Sequence, residues 1–102
     1  MNFNQVILKG IVSNLDKRPD ENRAYCNHQY FNLEFDGGLC KDNIEVCDWS
    51  YADIKDGDSV IVKGKLQSNK KNIDDGYIDV KEWFIIVYGD SSDDAIIKVA
   101  EW

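Results

Sequence analysis

Trp49, Tyr30, Tyr77 and Trp83 stand among lysines (Lys9, Lys63, Lys65 and Lys81) in segments that alternate apolar and polar residues. Flat rings interleaved with cations can stack bases and neutralise phosphates, a chemistry of binding that breaks no bond. The other reactive side chains assemble no catalytic or metal site. The cysteines, Cys26, Cys40 and Cys47, are odd in number and lack CxxC spacing, and the single histidine is His28. A disulfide framework needs an even set in a secreted context, and zinc needs about four ligands at close spacing. The cysteines therefore read as reduced and structural, and no cofactor is expected. One histidine supports no Ser-His-Asp or Cys-His relay. Asp56, Asp58, Asp74 and Asp75 sit in turn contexts, where aspartate bonds local backbone, and there is no phosphate-cradling glycine loop. The chain reads as a non-enzyme.

The elements that must position these residues follow from period and punctuation. A chain of 102 residues, 43% hydrophobic and 30% charged, has room for one hydrophobic core. No run of eighteen apolar residues exists, so no transmembrane helix is expected. Met1–Gly10 has neither a basic start nor a long apolar stretch, so no secretory signal is read and a cytoplasmic location is expected. The net charge of −7 argues against a general polyanion coat but leaves room for a locally basic groove. Asn4–Val12 is β-branched and apolar, with Gly10 where a bend would fall, and Ser13–Asn27 reads as a long connection. His28–Phe35 alternates, with Phe31, Leu33 and Phe35 on one face and Tyr30, Asn32 and Glu34 on the other. In Ile44–Trp49, Ile44 and Val46 oppose Asn43, Glu45, Cys47 and Trp49. Ser59–Gln67 turns Val60, Val62, Gly64 and Leu66 inward. Tyr77–Val87 reads as a fifth strand with Ile78, Val80, Phe84 and Ile86 inward, bulged near Glu82.

Five strands, strong turn signals and no interior helix point to an all-β, five-stranded Greek-key barrel of the OB-fold type over residues 1–89. An SH3-like barrel has a similar strand count but generally shorter strands. Residues 90–102 form an acidic closing segment. It reads either as a short helix packing Ile96, Ile97 and Trp102 on the barrel end, or as an acidic tail.

Asn4–Val12 (N-x-V-I-L-x-G-x-V) resembles the opening strand of bacterial and phage single-stranded-DNA-binding proteins. Ile44–Trp49, the turn carrying Lys55, Gly57 and Val60, and Val62–Gln67 (V-x-G-x-L) resemble their middle, and Tyr77–Phe84 their last strand. The resemblance spans residues 4 to about 88 in order. It implies an OB fold that binds single-stranded DNA, or RNA, by base stacking and phosphate neutralisation. It further implies a replication or recombination accessory of phage or mobile-element type, working as a homodimer or a tetramer, with the acidic C-terminus meeting a replication protein. The chain departs from the family at two stacking positions, where Asn43 and Lys71 stand, and its second hairpin is short.

Compensation is expected from the outer strand phase. Tyr30, Trp49, Tyr77 and Trp83 fall there with Lys9, Lys63, Lys65 and Lys81. Lys70 and Lys71 flank that face, and Lys17 and Arg18 occupy the first loop, so eight of the twelve basic residues lie on or beside it. Glu34, Glu45 and Asp79 share the phase and would repel phosphate. They favour a second reading, an OB-fold protein-interaction module that has lost its DNA face. Outward aromatics also serve dimer contacts, and outer lysines also serve solubility. Self-association is expected near Phe3–Ile11, where Ile7 and Ile11 face outward, with Ala95–Trp102 as the competing cover.

Overall fold

The computed structural model describes residues 4–19, 27–72, 79–88 and 95–99; the side chains of 69–72 and 79–81 lie outside that description. In chain order the elements are β1 (Val6–Arg18), β2 (His28–Asp36), β3 (Lys41–Asp48), β4 (Ser59–Asn72), β5 (Asp79–Val87) and β6 (Ile96–Lys98). The sheet runs β1-β2-β3-β5-β4-β6, and a β1–β4 pairing closes five of the strands into a ring. Neighbours are antiparallel except β3 and β5, which run parallel. Among the described residues there is no helix, and so none long and apolar enough to cross a membrane.

Closure depends on β1 serving two partners. Val6–Ile11 pairs with β4, Ile11–Arg18 pairs with β2, and Ile11 belongs to both ladders. Gly10 sits at this corner as the sequence implies: a Cβ there would overlap the Glu34 carbonyl oxygen and come within 2.9 Å of Leu33 Cγ. Gly64 plays the same part in β4, where a Cβ would stand 2.6 Å from both Ile85 Cγ2 and the Ile86 carbonyl oxygen. The core inside the ring is Val12, Phe31, Leu33, Val46, Val60, Val62, Ile85 and Val87, with Ile54 and Ala95 at its ends. The alternation in β2, β3 and the first half of β4 thus places residues as the sequence predicts.

Several expectations are corrected. The segment after Val12 is strand to Arg18, because pairing with β2 continues past a bulge between Ser13 and Asp16. In β5, Ile85 and Val87 point into the core, whereas Phe84 and Ile86 lie on the outer face, half-buried. The inward assignment of Phe84 and Ile86 was therefore inverted, and the expected bulge near Glu82 is absent among the described residues, because the β4–β5 register runs unbroken through Asn69 opposite Glu82; Ile78 and the Val80 side chain lie outside the described residues. Trp83 shares the phase of Ile85 and Val87, so it is not on the outer phase; it is 53% exposed, on the hairpin arm beyond the core. The closing segment supplies strand β6 rather than a short helix at Ile96–Lys98. Its described residues pair with β4, with Val60 opposite Lys98, and not with β1, which their competing role as its cover required.

Candidate nucleic-acid interface

Directly paired residues share a face, so the ladders can be followed across the outer surface. One row runs Asp16, Tyr30, Cys47, Ile86, Lys65 across five strands. Beside it, Arg18 pairs with His28, and the Trp49 amide donates to the Val87 carbonyl at 2.8 Å, carrying the ladder on toward Tyr88. The rings along this band are already in contact. His28 stacks on Trp49 with centroids 4.2 Å apart at 24°, and meets Tyr30 edge-on at 5.3 Å. Cations cap both ends: the Arg18 guanidinium lies 6.0 Å above Tyr30, and the Lys65 ammonium 5.4 Å from the Tyr88 ring.

The bulge in β1 decides which cation joins the rings. One extra residue, with Asn14 at φ 53°, shifts the register so that Asp16 and Arg18 face outward beside Tyr30 and His28. The Leu15 amide donates to Asp56 Oδ1 at 2.9 Å, tying the bulge to the turn before β4. Lys17 is left opposite Gln29, on the other phase. Arg18 donates from Nη2 to Asp16 Oδ2 at 2.8 Å. That hydrogen bond holds the Asp16 carboxyl below the usual range and raises Arg18.

Trp49 is positioned by a buried polar pair. Asp48 and Gln29 are fully buried on β3 and β2, and Gln29 Nε2 donates 2.8 Å to Asp48 Oδ2 and 2.8 Å to the Ala52 carbonyl. The same carboxylate accepts from the Ser50 amide (2.8 Å), the Ser50 hydroxyl (2.5 Å) and the Ala52 amide (2.9 Å). Four donors on one buried carboxylate fix the turn that leads out of Trp49, where Tyr51 takes φ 54°. Beneath the rings, burial pushes the Cys47 thiol up, so this one cysteine stays protonated and packs as a buried side chain. Burial likewise raises the Tyr30 hydroxyl. Cys40 is a free, exposed thiol and Cys26 lies outside the described residues; no group of three metal-ligating side chains occurs among the described residues.

Of the residues singled out in the sequence, Tyr30, Trp49, Arg18, Lys63 and Lys65 come together on this face. Lys9 faces outward too, but beside Ile61 on the β1–β4 side of the ring. Lys17 and Trp83 stand on the opposite phase. Tyr77 and the side chains of Lys70, Lys71 and Lys81 lie outside the described residues. The sequence reading missed His28 and Tyr88. His28 was legible from its shared phase with Tyr30, whereas Tyr88 becomes legible only once Val87 is known to point inward. A cavity of about 270 Å³ between Asn4, Lys63, Lys65, Ile86 and Tyr88 deepens the cationic end. Its rim is set by Asn4, whose amide exchanges two 2.9 Å hydrogen bonds with the Leu66 backbone.

The chain is similar in structure to a Plasmodium falciparum single-stranded-DNA-binding protein solved in complex with single-stranded DNA. The TM-score is 0.71 at 18% identity, over 98% of this chain and 97% of that one. The chain shares their OB fold. A mitochondrial single-stranded-DNA-binding protein from S. cerevisiae matches with a TM-score of 0.66 at 11% identity, over 84% and 90% of the two chains. A small single-stranded-DNA-binding protein from Streptomyces coelicolor matches at 0.58 and 16%, over 83% and 89%. No family model and no curated protein matches the chain. On this OB fold, the band from Arg18 to Lys65 crosses β1, β2, β3, β5 and β4 in turn.

Proposed function

We propose that the chain binds single-stranded DNA along the band from Arg18 to Lys65. Bases stack on Tyr30, on the paired rings of His28 and Trp49, and on Tyr88, while Arg18, Lys63 and Lys65 neutralise phosphates. The observation that carries this reading is the alignment across neighbouring strands of a cation with stacked rings and of a second ring with its own cation, in a fold shared with a protein solved on single-stranded DNA. Rings held in place before the ligand arrives lose little freedom on stacking, and each stacked base contributes about 1–3 kcal/mol. Lys70, Lys71 and Tyr77 extend the contacts on sequence grounds alone. The chain acts by binding, without chemistry, as a cytoplasmic accessory of replication or recombination of phage or mobile-element type, and RNA is a second substrate by the same stacking.

Assembly belongs to the same proposal. Val6–Gly10 pairs with β4 on one edge, and β2 begins to pair only at Ile11. That half-strand carries Ile7, 56% exposed, and is followed by Ile11, 41% exposed. An edge with no strand partner among the described residues, beside exposed isoleucines, suits pairing with a second copy, giving a homodimer or, by stacking of two, a tetramer. Residues 90–102, with Asp90, Asp93, Asp94 and Glu101, are the proposed contact for a replication protein.

The test follows tryptophan emission while mixed-sequence single-stranded DNA is added at low salt. Quenching with micromolar or tighter affinity is expected. With two to three phosphates neutralised, the log–log salt slope should be about −2, near 0.7 per contact. Unchanged emission, with no retention on single-stranded-DNA cellulose, would overturn the reading and favour the protein-interaction module, which the outer acids Glu34 and Glu45 support.

A further inference from the structure

A second row lies beside the stacking band and differs from it in chemistry. Ser13, Asn32, Glu45, Phe84 and Gln67 are paired in that order across β1, β2, β3, β5 and β4, so all face outward. Glu45 is exposed at its centre. It is two residues along β3 from Cys47, which pairs with Tyr30, so Glu45 is the diagonal neighbour of that ring. Diagonal neighbours lie roughly 7–8 Å apart, within reach of long side chains. The proximity is felt electrically: the Glu45 charge helps raise both the Tyr30 hydroxyl and the Cys47 thiol.

Glu45 forms no ion pair with any described residue. A bare carboxylate beside a band built for a polyanion repels the ligand's phosphates unless the ligand offers it something. A base stacked on Tyr30 offers its edge. With the phosphates drawn to Arg18 and Lys65, the edge can turn toward the second row, where Glu45 accepts hydrogen bonds and cannot donate them.

We infer that Glu45 reads the edge of the base stacked on Tyr30 and selects amino-bearing bases over thymine, an inference that rests on the proposed binding of single-stranded DNA. Guanine presents N1–H and its amino group side by side, and cytosine and adenine present one amino group each. Thymine has only N3–H, flanked by two carbonyl oxygens that a carboxylate repels. Asn32, which shares the row, both donates and accepts, so it discriminates little. Glu34 faces outward as well but is four residues from Tyr30 along β2, about 13 Å at the usual strand rise, and cannot touch the same base.

The experiment measures the affinity of the full chain for oligo-dT, oligo-dC and alternating dG-dT of equal length at neutral pH and fixed salt. It does so for the natural sequence, Glu45→Gln and Glu34→Gln. The amino-bearing oligomers should bind about tenfold tighter than oligo-dT, as one charged base contact supplies. Glu45→Gln, which can turn its amide to donate to thymine, should shrink that ratio mainly by strengthening oligo-dT. Glu34→Gln should leave the ratio where it was. Equal affinities for the three oligomers, or an equal gain on all three with Glu45→Gln, would overturn the inference while leaving DNA binding intact. Failure to bind any oligomer would overturn both.

Discussion

Replacing Asp48 with alanine removes the acceptor of four hydrogen bonds at a fully buried site. The Gln29 amide keeps its bond to the Ala52 carbonyl, so it loses only part of its pairing. Ser50 and Ala52 are half-buried, and water can reach their amides in part. An orphaned buried donor costs about 1–3 kcal/mol, and release of the desolvated carboxylate gives some of that back. The net loss should be about 3 kcal/mol, or roughly 12–24 °C in melting temperature for a domain of this size. The loss should be visible beyond stability, because the same bonds hold the turn out of Trp49. Near-ultraviolet circular dichroism, read well below the melting point, should lose the signal of the Trp49–His28 stack. Asp48→Asn, which keeps the shape but sets an amide against the backbone donors, should fall between. A melting shift below about 3 °C, near what an ordinary surface substitution gives, would refute the positioning role.

Gly10→Ala should lower stability by about 1–3 kcal/mol in urea unfolding, because the added Cβ meets backbone that cannot rotate away. Stability should also fall as pH rises above about 9. Cys47 and Tyr30 have folded values raised above their ordinary 9.0 and 10.0, so the unfolded chain ionises first and the folded state loses ground through that window. Melting curves from pH 8 to 11 should show this, and Cys47→Ala should blunt its lower half. Ile7→Lys should convert the proposed dimer to a monomer in sedimentation while leaving the melting temperature of the isolated domain nearly unchanged; a sharp boundary of monomer for the natural chain at high micromolar concentration would refute the dimer.

Much of the fold was legible where one face is buried and the other is wet. In His28–Phe35 and in Val60–Leu66, period-two alternation fixes the inward set without help from the rest of the chain, and Gly10 marks the corner because no other residue fits there. The reading failed in β5, where Trp83–Val87 is apolar at every position. Alternation carries no information in such a run, and only the β4 pairing, Leu66 opposite Ile85, decides which residues enter the core. The inverted reading put Trp83 on the outer face, where it does not lie, and hid Phe84, Ile86 and Tyr88 from the candidate site. Arg18 was found for an incomplete reason, since the bulge at Ser13–Asp16 that turns it toward Tyr30 depends on Asp56, forty-one residues from Leu15. Glu45 was read as an obstacle to binding because its position diagonal to Tyr30 exists only once β2 and β3 are in register.

The central claim is a place as well as an activity, so the most direct measurement is amide chemical-shift mapping of the full chain as mixed-sequence single-stranded DNA is added. The account predicts shifts concentrated at Asp16–Arg18, His28–Asn32, Glu45–Trp49, Lys63–Lys65 and Phe84–Tyr88, with Lys9, Ile61 and Ile97, paired in a row away from the band, unmoved at concentrations where assembly does not change. Shifts confined to the Lys9–Ile61–Ile97 side of the ring, or none at any ratio of DNA to protein, would contradict it.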